Sequence, residues 1–145
     1  IDEIVSVARS AARRIMSVSL GIGSRLPAFY TSLGRSLLAA LPESQLNQSL
    51  KLLNTKQYTE HTLTSKKDLK SAIQKAGEQG HALVNEEFEI GLRSLAVPVM
   101  NQDKQVVAAI NVGVQASRIG SRKMIKEILP VLKAASTELS AQLIC

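Results

Sequence analysis

The strongest constraint on the fold is a pair of apolar, β-branched runs near the end of the chain. Residues 92–100 and 104–114 flank the polar tetrapeptide NQDK, which predicts two antiparallel strands joined by a tight turn. Because side chains alternate along a strand, Leu92 and Ser94 share one face of the first strand, and Asn111 and Gly113 share one face of the second. A chain that contains this hairpin is built around an antiparallel sheet.

The other segments add strands and helices to this hairpin. We predict strands over residues 3–9, over a run ending at Leu20 and over residues 81–85, and helices over residues 30–40, 43–53, 65 to 77 or 80, and from Ser121 onward. Thr31 or Ser32 can cap the first helix, and Pro130 should kink the last one because it lacks a backbone donor. With 145 residues this predicts one α+β domain, an antiparallel sheet with helices packed on one face.

Composition and charge narrow the kinds of partner. The chain is 45% hydrophobic and carries a net charge of +6, which is typical of a globular domain with an anionic partner. Its basic residues are scattered in short pairs without stacking aromatics, so direct nucleic-acid binding by this chain is disfavoured. A single cysteine, Cys145, excludes an internal disulfide and favours a cytoplasmic location, and no apolar run is long enough to span a bilayer. Because the sequence opens at Ile1 without methionine, we interpret it as an N-terminally truncated piece of a longer protein.

The sequence contains few features of an enzyme. It has neither a glycine-rich dinucleotide motif nor a phosphate-binding P-loop. Its two histidines, His61 and His81, stand in no metal-ligand spacing, so we predict no catalytic residue, no metal and no cofactor. The carboxylates of NEEFE, residues 85–89, are typical of a solvated acidic turn. An enzyme that uses His61 or one of these glutamates as a base stays open as an alternative.

A pocket for a small molecule is better supported. Residues 23–33 combine turn-forming glycine with the start of a helix, whose free N–H groups suit a carboxylate. Arg25 could hold a carboxylate bidentately, although an arginine in a polar loop is more often exposed. Ser94 and Asn111 place polar side chains in apolar strands; the alternatives are a core hydroxyl at Ser94 and a strand end at Asn111. A ligand would then lie between the sheet and its loops.

Three motifs, in this order, carry a family resemblance that extends over nearly the whole chain. They read GSRLPAFYTSLGRSLLA, GHALVNEEFEIGLRSLAVPV and QVVAAINV. Together they resemble the effector-binding domain of IclR-type bacterial transcriptional regulators. The wording of the first two is most similar to the branch that regulates aromatic-acid catabolism, the protocatechuate and β-ketoadipate pathway regulators.

The resemblance implies a GAF/PAS-like domain that senses a small organic acid, plausibly aromatic, and works as a homodimer or homotetramer. It also implies a winged helix-turn-helix that binds operator DNA and is absent from this sequence. Carried over by position, the effector site comprises Ser32, Leu33, Leu92, Ser94, Asn111 and Gly113, to which the loop adds Arg25. Ser94 replaces a frequent cysteine, and Asn111 and Gly113 replace two small hydroxyl residues, so we expect a pocket that differs in shape and hydrogen-bond donors from that of relatives that bind small glyoxylate-like acids. A module that only oligomerises, without a ligand, is the further alternative.

Overall fold

A computed structural model describes residues 2–10 and 21–143 of the chain. The described strands form two antiparallel sheets. Strands β1 (Glu3–Val5) and β2 (Arg25–Pro27) make the smaller one, and β3 (Ala82–Asn85), β4 (Leu92–Met100) and β5 (Val106–Gln115) make the larger one in the order β3-β4-β5. The helices are α1 (Ser32–Leu38), α2 (Glu43–Leu52), α3 (Lys66–Gln79), α4 (Ser121–Lys123) and α5 (Leu129–Gln142), with a π-helical turn at Met124–Ile128 between the last two. The predicted α+β class is confirmed.

The hairpin of β4 and β5 is the centre of the larger sheet, as predicted. Ser94 lies opposite Gly113 and Ala96 opposite Asn111, so these four residues share one face. Strand β5 begins at Val106 rather than at residue 104. The buried side chain of Asn101 explains this difference, because its Oδ1 accepts hydrogen bonds from the backbone N–H groups of Asp103 and Gln105 at 3.0 and 2.9 Å and organises the turn.

Helices cover both faces of the larger sheet, which corrects the prediction that they pack on one face only. On the face opposite Ser94, Leu95 and Val97 pack against Met124, Leu129 and Leu132 of the terminal helices. On the Ser94 face, α1 lies against β4 and β5. A second core, centred on Phe29, Leu38, Leu69 and Ile73, joins α1, α2 and α3. Both faces of β4 are therefore covered by helices, which agrees with the continuous apolar run of this strand.

Helix α1 is held at its first turn by the segment that precedes it. Thr31 is the N-cap, as predicted; its hydroxyl accepts from the Gly34 N–H at 3.2 Å and donates to the Pro27 carbonyl at 2.9 Å. Gly34 packs directly on the backbone of Ala28, because a Cβ added at Gly34 would lie 2.0 Å from the Ala28 oxygen. The helix is shorter than predicted and ends at Leu38.

The terminal helices deviate from regular geometry near Pro130, as predicted, but the deviation is a π-helical turn. This turn, Met124–Ile128, lies just before the proline, whose missing N–H leaves one helical carbonyl without its donor. Helix α4 begins at Ser121, as predicted, but Ser121 does not cap it. Gly120 takes the cap position, and the Ser121 hydroxyl donates to Asn85 Oδ1 at 3.3 Å.

The remaining predictions differ in their outcome. Strand β1 is shorter than the predicted 3–9, the predicted strand that ends at Leu20 lies outside the described residues, and β2 was not predicted. Helix α2 agrees with its predicted bounds to within one residue. Helix α3 begins after the cap Ser65, whose hydroxyl accepts from the Asp68 N–H, and ends at Gly80 in the left-handed conformation.

Candidate functional site

Three of the predicted site residues form a hydrogen-bonded cluster between α1 and the larger sheet. The hydroxyl oxygens of Ser32 and Ser94 lie 2.5 Å apart, and Asn111 Nδ2 donates to Ser94 Oγ at 3.0 Å. Ser32 comes from the first turn of α1, Ser94 from β4 and Asn111 from β5. We call these three side chains the polar cluster. Ser32 and Ser94 are 62 positions apart in the sequence, and Ser94 and Asn111 are 17 positions apart. The fold brings all three side chains into contact.

The polar cluster runs from the interior to the surface. Ser32 and Ser94 are buried, whereas Asn111 is exposed, so the amide is the end of the cluster that an incoming molecule meets. Gly113 lies opposite Ser94 and is also exposed, and a Cβ there would lie 3.4 Å from Leu92 Cδ1. Ser94 is therefore a buried hydroxyl whose bonds are satisfied inside the protein, as one of its alternatives had it, whereas Asn111 lies within β5 and does not end the strand.

The other predicted residues differ in their relation to the cluster. Leu92 is half-buried beside Gly113, and Leu33 packs into the core around α1. Arg25 lies on β2 in the smaller sheet, is exposed, and donates from Nε to Glu3 at 2.5 Å. This ion pair raises the pKa of the Arg25 guanidinium. The structure does not bring Arg25 into the polar cluster.

A buried ion pair next to the cluster was missed by the sequence analysis. Arg35 on α1 donates from Nη1 and Nη2 to the two carboxylate oxygens of Glu87 at 3.1 and 2.8 Å, and from Nε to the Phe29 carbonyl at 2.8 Å. Its side chain is only 3% exposed and that of Glu87 12%. The pair joins the helix that carries Ser32 to the loop between β3 and β4.

This loop is fixed from a second side by two threonines. The Thr59 hydroxyl donates to the Glu86 carbonyl at 2.6 Å, and the Thr62 hydroxyl donates to the Glu87 carbonyl at 2.5 Å. The carboxylate of Glu86 accepts from the Gly91 N–H at 2.9 Å. Glu86 and Glu87 are thus engaged in structural bonds, which weakens the alternative that one of them is a catalytic base.

Arg93 holds the opposite face of β4. Its Nε donates to Asn85 Oδ1 at 2.6 Å, and its Nη1 donates to the carbonyls of Ala116 at 2.8 Å and Ile119 at 2.5 Å. These carbonyls belong to the connection between β5 and α4. Adjacent residues of one strand therefore serve two purposes, Ser94 in the polar cluster and Arg93 in anchoring the terminal helices.

The two histidines lie apart from the cluster in different surroundings. His61 is half exposed beside Glu60, with 3.6 Å between Nε2 and the carboxylate oxygen. His81 is partly buried just before β3, and partial burial lowers the pKa of its imidazole, as do the positive charges of Lys133 and Lys75; a backbone hydrogen bond of Gln79 acts in the opposite direction. Within the described ranges no group of three or more metal-ligating side chains is assembled.

The lowered pKa of His81 predicts that acid destabilises the fold. The unfolded chain, in which the histidine titrates near its ordinary value of about 6.5, binds the proton more readily than the folded one. The contribution of His81 to the free energy of unfolding is therefore complete above about pH 6.5 and is lost as the pH falls below it. Thermal unfolding between pH 7.5 and 5 should show a smaller decrease in Tm for His81→Gln than for the parent. His61→Gln is the matched control; an equal decrease in parent and His81→Gln would contradict the assignment.

A depression of about 270 Å³ lies elsewhere, between the β4–β5 turn and α5. Its lining includes none of the predicted site residues. Several of its polar groups are used internally: the hydroxyls of Ser136 and Ser140 donate to the carbonyls of Pro98 and Met100, and Gln102 donates to the Leu143 carbonyl. We therefore place the candidate site at the polar cluster.

None of the helices in the described part of the chain is long and apolar enough to cross a membrane.

Comparisons with known proteins agree with this architecture. The family model for the C-terminal part of the bacterial transcriptional regulator IclR matches residues 1–141. The Pca regulon regulatory protein of Pseudomonas putida is 42% identical over 143 residues, which cover 98% of this chain and 49% of the relative. The Pca operon regulatory protein of Acinetobacter baylyi is 36% identical over 141 residues, covering 94% and 51%. The chain thus spans about half the length of these relatives.

Two solved structures share the fold along almost the whole chain. A transcriptional regulator from Rhodococcus superposes with a TM-score of 0.93 at 38% identity, covering 97% of this chain and 57% of that one. The inducer-binding domain of a double mutant of the PobR transcription factor from Acinetobacter, in complex with 3-hydroxybenzoic acid, superposes with a TM-score of 0.89 at 30% identity, covering 98% and 83%. Fold and comparisons define the C-terminal domain of a bacterial transcriptional regulator.

The family resemblance drawn from the three motifs is confirmed. The chain belongs to the IclR family and corresponds to its C-terminal domain. Its relatives are transcriptional regulators.

Proposed function

We propose that this domain binds a small aromatic acid at the polar cluster and thereby controls a DNA-binding domain that lies outside this sequence. The observation that carries the proposal is the cluster itself: two buried hydroxyls and an exposed amide, contributed by α1, β4 and β5, meet on a sheet face that also carries apolar residues such as Leu92 and Ala96. Polar groups that converge in an apolar setting are typical of sites that orient a small ligand.

The relatives support the choice of ligand class. A double mutant of the Acinetobacter PobR domain binds 3-hydroxybenzoic acid, and two relatives are regulatory proteins of a Pca regulon and a Pca operon. Leu92 and the exposed backbone at Gly113 offer an apolar surface beside the cluster on which an aromatic ring can lie. The carboxylate would approach the first turn of α1 near Ser32 and Leu33. Arg25 remains a candidate for attracting the acid from solution, because it is exposed and lies on β2, which leads into α1.

Regulation requires that the ligand distinguish between two states of the protein. We infer that the domain forms a homodimer or homotetramer in the cytoplasm, and that the acid binds two arrangements of this assembly with different affinity. That difference is what shifts the equilibrium between them. The shift would change the spacing of the winged helix-turn-helix domains and so the affinity for operator DNA. A sensor of this kind returns its ligand unchanged.

A thermal-shift titration of this chain tests the proposal. With protocatechuate, 3-hydroxybenzoate or 4-hydroxybenzoate at about a hundred times the dissociation constant, unfolding should cost roughly 2.7 kcal/mol more, which raises Tm by several degrees. Ser94→Ala should weaken binding about tenfold, because it removes the oxygen that joins Ser32 and Asn111. Ser71→Ala, an exposed serine on α3, is the matched control and should bind like the parent.

The alternatives give different results in the same experiment. Chromatography of the acid after long incubation detects turnover, and a chemically altered acid would favour an enzyme. No change in Tm with any acid would favour a module that only oligomerises. Equal affinity of Ser94→Ala and the parent would remove the site from the polar cluster.

A further inference from the structure

We infer that the amide of Asn111 binds an uncharged hydroxyl group of the effector, so that the domain selects hydroxylated aromatic acids over the unsubstituted acid. The inference rests on the proposed function and specifies which group of the ligand lies at the strand side of the site. It follows from the hydrogen-bonding capacity of the polar cluster, from the charges around it and from the space at Gly113.

The first step concerns the atoms that a ligand can reach. Ser32 and Ser94 are buried and bonded to each other, whereas Asn111 is exposed. One N–H of the Asn111 amide is used by Ser94 Oγ. An amide has two N–H donors and one carbonyl acceptor, so one donor and one acceptor remain for the ligand.

This pair of groups matches a hydroxyl. A hydroxyl both donates and accepts, so it can bond to the carbonyl oxygen of Asn111 as well as to its N–H. An ionised carboxylate can only accept, so it can bond to the N–H but is repelled by the carbonyl oxygen of the amide. The strand side of the site therefore discriminates against the charged end of an acid and in favour of a neutral substituent.

The second step concerns charge, because a carboxylate site usually contains a cation. The two arginines adjacent to the cluster are engaged elsewhere. Arg35 forms a bidentate ion pair with Glu87 and donates one further hydrogen bond to the Phe29 carbonyl. Arg93 points to the opposite face of β4, where it donates to Asn85 and to two backbone carbonyls. Among the described contacts of the polar cluster there is no positive charge, so Asn111 is better suited to a neutral group of the ligand than to its carboxylate.

The third step concerns space beside the amide. Gly113 lies two residues after Asn111 on the same face and opposite Ser94, and it has no side chain to cover the backbone there. Leu92 borders this opening. A planar ring can approach the backbone at Gly113 with its hydroxyl directed at Asn111, an approach that a larger residue at position 113 would restrict.

Isothermal titration of this chain with benzoate, 3-hydroxybenzoate and 4-hydroxybenzoate tests the inference. The better hydroxybenzoate should bind the parent at least about tenfold more tightly than benzoate, because an unmatched amide is left when the hydroxyl is absent. Asn111→Leu, which keeps the number and branching of the side-chain heavy atoms, should reduce this ratio to near one by weakening the hydroxybenzoate.

Two further variants separate the hydroxyl contact from other effects. Asn111→Asp keeps an acceptor for the ligand hydroxyl and adds a negative charge, so it should weaken all three acids and preserve the preference. Asn47→Leu makes the matched exchange at an exposed position of α2 and should change nothing.

The outcomes distinguish this inference from the proposed function. If benzoate binds the parent as tightly as the better hydroxybenzoate, or if Asn111→Leu retains the full preference, the hydroxyl assignment is wrong while the sensor proposal stands. If none of the three acids binds the parent, the proposed function fails and the inference fails with it. The ratio measured on the parent decides the matter even if Asn111→Leu does not fold.

Discussion

Gly34→Ala is expected to destabilise the domain by about 3 kcal/mol, in spite of the better helix propensity of alanine. The added Cβ would lie 2.0, 2.4 and 2.5 Å from the oxygen, Cα and carbonyl carbon of Ala28. All three are backbone atoms, so α1 must move away from the preceding segment. That movement would also separate Ser32 from Ser94, and ligand binding should fall together with stability.

Urea unfolding of Gly34→Ala and of Gly77→Ala provides the comparison. Gly77 lies inside α3, where an added Cβ would meet Ala39 at 3.5 to 3.6 Å, an ordinary contact distance. Helix propensity alone then applies, and Gly77→Ala should stabilise by up to about 1 kcal/mol. A stabilising effect of Gly34→Ala similar to that of Gly77→Ala would show that α1 does not depend on the close approach to Ala28.

Glu87→Leu is expected to cost about 3–5 kcal/mol of stability, because it leaves the Arg35 guanidinium buried without its carboxylate. The double variant Arg35→Met/Glu87→Leu should recover most of this loss, since well-packed apolar side chains often replace a buried ion pair at little cost. The recovery should be incomplete, because the Phe29 carbonyl then loses its donor as well.

Chemical denaturation of the two single variants and the double variant measures this coupling. The exposed pair of Lys70 and Glu43 is the control, with 3.3 Å between Nζ and the carboxylate oxygen. Lys70→Met should change stability by no more than about 1 kcal/mol. A cost for Glu87→Leu as small as that for Lys70→Met, or a double variant less stable than Glu87→Leu, would contradict the role assigned to the buried pair.

Local patterns were sufficient to predict much of the fold. The alternation of β4 and β5 predicted that Leu92 and Ser94, and likewise Asn111 and Gly113, share faces, and the register confirms it. Thr31 and Ser65 cap their helices because a hydroxyl before a helical run satisfies free N–H groups whatever the rest of the protein does. Interactions that depend on a few neighbouring residues can be inferred from the sequence.

Features that depend on distant contacts could not be predicted. Arg25 and Arg35 both stand in the motif GSRLPAFYTSLGRSLLA, yet Arg25 is exposed on β2 and Arg35 is buried. What separates them is Glu87, 52 residues further along the chain. The packing of helices on both faces of the larger sheet could not be predicted for the same reason. The apolar run of β4 does not indicate which helix packs on which face.

The contact between Gly34 and Ala28 has a consequence for engineering the specificity of the domain. Together with the buried Arg35, this contact fixes the position of α1 beside the polar cluster. Substitutions in α1 would therefore destabilise the fold, and such variants would be lost before their effect on ligand binding could be measured. Asn111 and Gly113 are exposed and restrained by little packing. A library of variants designed to respond to new inducers should therefore randomise Asn111 and Gly113 on β5 and leave α1 unchanged.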